Sequence, residues 1–174
     1  AGVDSRDMWM VTLGTGIGGG LVSGGALQHG AHGHAGEVGH MVVQADGDAC
    51  PCGQRGCWER YASGAGLSQL AGGIAGEEVI DRARGGDNAS LHVLDKYSTW
   101  VALGLANIAN MSDPDTIVIG GGVMENADIL LPRIQDRFAT MLYAPSHRVH
   151  PVLKSAQLGE RAGAIGAALL HLHD

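Results

Sequence analysis

The sequence predicts an α/β layered domain, and three observations carry that expectation. Thr116–Ile119 is a continuous β-branched run, the pattern of a strand buried on both faces. Leu91, Leu94, Val101, Leu105 and Ile108 fall at spacings of three, four and seven, along one face of a long helix. Strands come first along the chain and helix–strand alternation follows, an order that implies a layered α/β architecture. The 174 residues suffice for one domain with a proper core.

The elements follow in order. Met8–Leu13 is a short apolar run ending at glycines and reads as a buried strand. Gly18–Ser23 reads as its partner, Gly24 and Gly25 as a turn, and Ala26–Gly30 as the continuation. Met41–Val43 reads as a further strand. The cysteine loop after it is too polar and too rich in glycine to be regular. From Tyr61 the pattern turns helical, and Asp113-Pro114-Asp115 stops the long helix. Gly120, Gly121 and Gly122 follow the β-branched run. A helix is predicted over 129–142, a strand over 149–155 and a last helix over 161–171. No long linker, low-complexity tract or internal repeat interrupts the chain.

Composition narrows the function. The formal net charge is −7, which argues against a nucleic-acid-binding surface in this segment. Nothing resembles a signal peptide, and no apolar run is long enough to cross a membrane. Three cysteines cannot all pair within the chain, so a reduced compartment is the better reading; together these imply a cytoplasmic protein. The chain opens at Ala1 and runs almost at once into a strand, which suggests a fragment lacking an N-terminal partner domain.

Two motifs bear chemistry. In Leu13-Gly14-Thr15-Gly16-Ile17-Gly18-Gly19-Gly20 the glycines at 14, 16 and 19 spell GxGxxG. The dinucleotide reading needs a helix directly after that loop, and the continuation here looks like a strand, so that reading fails. A glycine hairpin remains. It is either a plain turn or one whose N–H groups crowd around an anion, with Thr12 and Thr15 adding hydroxyls.

The second motif joins His40 to Cys50, Cys52 and Cys57 within eighteen residues. One imidazole and three thiolates suit a closed, tetrahedral structural zinc. Cys50 and Cys52 lie one residue apart, a spacing that disfavours a disulfide between them. His29, His32 and His34 compete for the histidine position, but they sit in a glycine–alanine loop and read as solvated. His40 ends a turn and enters the predicted strand, a more rigid place for a ligand. Glu37 and Glu59 flank the cluster. A zinc-folded loop would bring both carboxylates to one point, where they suit hydrogen bonding to the vicinal hydroxyls of a sugar; the alternative is two solvated surface acids.

GEVGH followed by C-x-C-G-x-x-G-C-x-E resembles the signature of the ROK family (repressors, open reading frames, kinases), most closely its actinobacterial glucokinases. The resemblance covers essentially the whole chain as the C-terminal half of such a protein. TLGTGIGGG matches the family's second phosphate-contacting loop, and IVIGGGV its strand and glycine turn near the nucleotide. The resemblance implies a ribonuclease H-like, actin-like ATPase fold with this chain as its C-terminal large domain, holding a zinc loop at 40–59. It implies transfer of the ATP γ-phosphoryl group, with Mg²⁺, to the 6-hydroxyl of a hexose such as glucose. Glu37, His40 and Glu59 would bind the sugar, and His40 would also ligate zinc with Cys50, Cys52 and Cys57. Thr12, Gly14, Thr15, Gly16 and Gly18 would approach the phosphates, and Gly120, Gly121 and Gly122 would border the adenosine. A homodimer or homotetramer is implied.

The family's N-terminal phosphate loop and the aspartate that serves as general base are not in this sequence. The chain supplies one side of a cleft whose chemistry needs both, and is expected to be inactive alone. The competing function is the sugar-sensing half of a ROK transcriptional repressor. The intact glycine loop favours the kinase, because a pure sensor has no need of ATP phosphates. A free-standing zinc interaction module fits poorly, since such modules seldom need a glycine hairpin and long core helices. Replacement of Gly16 by Val is expected to harm ATP use and to spare sugar affinity.

Overall fold

The structure is a computed structural model that describes residues 1–2, 4–159 and 161–169. Five strands form one mixed sheet in the order β3-β2-β1-β4-β5. β1 (Met8–Leu13) pairs antiparallel with β2 (Ile17–Ser23), and β2 pairs antiparallel with the short β3 (Ala26–Leu27). On the other side β4 (Thr116–Gly120) runs parallel to β1, and β5 (Val152–Ser155) parallel to β4. Every residue of β4 is buried, as its β-branched run requires. The helices are α1 (Glu59–Ala62), α2 (Gly64–Leu70), α3 (Gly76–Arg84), α4 (Asn88–Ser112), α5 (Ala127–Met141) and α6 (Arg161–Leu169). Among the described residues no helix is long and apolar enough to cross a membrane.

Alternation along β1 turns Trp9, Val11 and Leu13 into the core, where they join Leu94, Val101, Leu105 and Ile108 of α4 and Leu130, Ile134 and Phe138 of α5. Both ends of α4 are fixed locally. The Asp87 carboxylate accepts the Ser90 N–H at 2.8 Å as an N-cap, and Asp113 adopts a left-handed φ of 45° as the C-cap. Pro114 then bars continuation.

Three elements differ from the sequence expectation, and a fourth, the predicted last helix, extends past the described residues. Met41–Val43 is not a strand of the sheet. It makes an isolated bridge, Val42 to Cys57, because its hydrogen-bonding partner is the end of the cysteine loop: the Val43 N–H donates to Gly56 O at 2.8 Å and the Trp58 N–H to Met41 O at 2.8 Å. His40 therefore closes a 3₁₀ turn, Val38–His40, and does not enter a strand. β3 ends at Leu27, where a turn-rich exposed loop takes over. β5 begins at Val152, since Pro151 offers no N–H to the ladder. The last helix is described to Leu169, and His171 lies outside the described residues.

The joint that matters most for the site is Trp58 against α4. Its indole is fully buried and donates to Trp100 O at 2.8 Å, so the residue after Cys57 anchors the cysteine loop to the core. Gly104 makes room for it: a Cβ there would lie 2.0 Å from the indole. Gly104→Ala should cost about 3 kcal/mol through overpacking, which outweighs the ~1 kcal/mol gained in helix propensity. Thermal unfolding should register a drop of roughly 4–8 °C. An unchanged or raised midpoint would show that the loop does not depend on this contact.

Candidate functional site

The cysteine loop is built by its own backbone. The Cys50 N–H donates to Gln54 O at 2.9 Å, Gly53 N–H to Cys50 O at 3.0 Å and Gly56 N–H to Asp48 O at 2.8 Å. Gly56, at φ 75°, cannot be replaced without disruption, because a Cβ would sit 1.7 Å from Gln44 O. On this frame His40, Cys50, Cys52 and Cys57 converge, their ligand atoms all within 4.8 Å of one another. Cys52 Sγ lies 3.6 Å from Cys57 Sγ, and Cys50 Sγ lies 3.7 Å from His40 Nδ1. Zinc–sulfur bonds of about 2.3 Å at tetrahedral angles give edges of about 3.8 Å, so these separations fit one ion.

Burial, then the neighbouring sulfurs, push the Cys57 thiol up to about 12, whereas the backbone hydrogen bond at Gln54 draws Cys52 down from the ordinary thiol value. A metal binds the thiolate, so an ion at this cluster would have to offset the burial that keeps the Cys57 thiol protonated.

The carboxylates take different places. Glu37 is exposed at the rim, its Oε2 4.0 Å from His40 Nε2. His40 thus turns Nδ1 to the sulfurs and Nε2 to the rim. Gly36 and Gly39 let this segment lie directly on β2: a Cβ on Gly39 would meet Ile17 O at 2.3 Å, and one on Gly36 would meet Gly19 O at 2.4 Å. Glu59, the first residue of α1, reaches the glycine hairpin. Its Oε2 accepts the Ile17 N–H at 3.2 Å, and its Oε1 lies 3.7 Å from Cys50 Sγ. The far side of the loop rests on Tyr61, whose hydroxyl accepts the Asp48 N–H at 2.7 Å and whose ring stacks on Trp100 at 4.6 Å. Sequence reasoning missed Tyr61 and Trp100; an aromatic just after a cysteine motif was the available signal. His29, His32 and His34 are exposed and stand apart from the cluster.

The GxGxxG segment forms the turn between β1 and β2, as its strand-like continuation demanded. The Gly14 N–H donates to Gly16 O at 3.0 Å across the tip, and the Gly64 N–H at the start of α2 donates to Gly14 O at 2.7 Å. Thr15 is exposed at the tip, whereas the Thr12 hydroxyl donates to Gly18 O at 3.4 Å within the hairpin. Register places Thr12 beside Gly120. Gly121, at φ 90°, permits close approach to Leu13.

A cleft of about 250 Å³ opens beside the hairpin, lined by Gly64 and Leu67 of α2, Gly76, Glu77 and Ile80 of α3, and Gly122, Val123 and Asn126. A second, of about 260 Å³, is lined by Thr12, Gly120, Gly121 and Ser155 among others. The glycine triplet thus borders both. Gly64, Glu77 and Asn126 were not anticipated; the small-residue run Ser63-Gly64-Ala65-Gly66 was the sequence signal for a close backbone approach.

The glucokinase of Streptomyces coelicolor is 33% identical over 189 residues, which cover 96% of this chain and 60% of its own. The xylose repressor of Bacillus subtilis is 30% identical over 160 residues, covering 90% of this chain and 41% of its own. The crystal structure of a ROK family glucokinase from Streptomyces griseus in complex with glucose and AMPPNP matches with a TM-score of 0.91 at 36% identity, covering 98% of this chain and 62% of that one. The chain spans about 60% of the length of the curated glucokinase. The fold is the actin-like, ribonuclease H-like one that the sequence implied. With residues 1–174 matching the family throughout, the chain belongs to the ROK family.

Proposed function

We propose that the protein carrying this chain is an ATP-dependent hexose kinase, a glucokinase, to which this chain contributes the sugar-binding and zinc-binding half. The observation that carries the reading is the convergence of Glu37, His40 and Glu59 about one cysteine cluster beside a glycine hairpin. His40, Cys50, Cys52 and Cys57 would hold zinc, and zinc would supply rigidity and no chemistry of its own. With Nδ1 committed to the cluster, His40 offers Nε2 to a hydroxyl, while Glu37 and Glu59 accept from its neighbours. This fixes the hexose in register for an in-line transfer, where positioning makes up most of catalysis.

The glycine hairpin, with Gly14, Gly16, Gly18 and the exposed Thr15, suits the phosphates of ATP–Mg²⁺. The cleft between Gly64, Glu77 and Gly122 would take the nucleoside. The general base is expected to come from the N-terminal domain, as is the first phosphate loop, so the 174 residues alone are expected to give no turnover. A cytoplasmic homodimer or homotetramer accords with the family. The second reading, the sensing half of a repressor, is favoured by the likeness to the xylose repressor.

The test separates sugar recognition from the metal. Glu37 faces the rim, 4.0 Å from His40 Nε2 and outside the ligand set. Glu37→Gln should therefore weaken glucose binding roughly 10–100-fold, the loss of a charged hydrogen bond, with zinc content unchanged. Calorimetric titration of the intact protein measures it. A change below twofold would remove Glu37 from the sugar site.

A further inference from the structure

Glu59 is shared between two sites that the sequence treats as separate. Its carboxylate takes the Ile17 N–H at 3.2 Å with one oxygen and faces Cys50 Sγ at 3.7 Å with the other. It also fills the space over the hairpin tip, since a Cβ on Gly16 would lie 2.5 Å from Oε2. Ile17 is the first residue of β2, next to the tip, and the tip has few other restraints. One is the Gly14–Gly16 hydrogen bond and another is the Gly64 N–H on Gly14 O. Glu37, the other flanking acid, lies at the rim by His40, and none of the described hydrogen bonds links it to the hairpin.

From this we infer that Glu59 is a positioning residue for the phosphate-facing hairpin: its carboxylate latches the Gly16–Ile17 backbone to the cysteine loop, and so couples nucleotide binding to hexose binding. The inference rests on the kinase reading and extends it. In the free protein Glu59 holds the hairpin in the conformation that presents its N–H groups. A hexose hydroxyl that donates to the same carboxylate then orders Glu59 further, and the hairpin with it. Coupling of this kind is reciprocal, so the nucleotide must raise hexose affinity by the factor by which hexose raises nucleotide affinity.

The test compares Glu59→Ala, Glu59→Gln and Glu37→Gln with wild type in the intact protein, each checked for full zinc content. AMPPNP with Mg²⁺ is titrated in the absence of sugar, and exchange of the Ile17 amide is followed in parallel. Glu59→Ala should raise the AMPPNP Kd roughly three- to tenfold and speed Ile17 exchange. Glu59→Gln, whose amide oxygen still accepts from Ile17, should stay within twofold on both, and so should Glu37→Gln. Unchanged Ile17 exchange in Glu59→Ala, or an AMPPNP Kd within twofold of wild type, overturns the latch. Failure of the kinase reading is recognised separately, as wild type that binds no AMPPNP, and the Ile17 exchange rates then decide the latch by themselves.

Discussion

Cys52→Ser should strip the protein of zinc and of hexose binding in one step. Of the three cysteines it is the informative one. Cys50 and Cys57 are buried, so replacing either would also create a packing or polar fault, whereas Cys52 is exposed. A serine there keeps the backbone path and removes one thiolate, leaving the remaining ligands with too few soft donors for tight binding. Structural zinc contributes roughly 10–16 kcal/mol in small zinc folds. Here the sheet and α4 have their own core, so the loss should fall on the loop and not on the whole domain.

That loop carries His40 at one end and Glu59 just beyond the other, and on the proposed kinase reading the hexose needs both in register. Glucose affinity should therefore fall by about 100-fold or more, the scale of losing two hydrogen bonds of roughly 1.5 kcal/mol each. Metal analysis and calorimetry on one preparation measure the pair. Sugar affinity that persists after the zinc is gone would mean that backbone hydrogen bonds suffice to shape the site.

Gly16→Val should damage hexose and nucleotide use together. Read from the sequence, Gly16 belongs to the phosphate loop alone, and the variant is expected to spare the sugar. The structure changes that expectation. A Cβ at Gly16 would stand 2.5 Å from Glu59 Oε2, so the carboxylate must move, and with it a proposed sugar contact and the acceptor for Ile17. Displacement of the hairpin and of the carboxylate proposed to hold the sugar, by about an ångström, should lower kcat/KM by ~100-fold or more, with KM raised for both substrates. Steady-state kinetics with each substrate varied decides the point. A defect confined to the ATP KM would show that Glu59 yields without loss to the sugar.

The sheet and the long helix were legible because each carries its own periodicity. Thr116–Ile119 needs no tertiary context to be read as a buried strand, and the α4 stripe has its stop signal built in at Asp113-Pro114. Met41–Val43 misled because a short apolar run does not name its partner, and here Val42 pairs with Cys57, at the end of a loop fifteen residues downstream, and not with the sheet. The convergence of His40, Cys50, Cys52 and Cys57 was legible for the opposite reason, since side-chain chemistry and spacing are local. The contact between Glu59 and Ile17 was not, because forty-two residues separate them and nothing in either neighbourhood announces the other. The role of Trp58 was hidden in the same way, because the reason α4 carries a glycine at 104 is an indole from another element.

The most direct test of the central claim is hexose-dependent ADP release by the intact protein, with glucose, mannose and N-acetylmannosamine assayed in parallel. ADP release with glucose is the predicted result. Sugar binding with no ADP release from any of the three would contradict the kinase and turn the reading to a sensor.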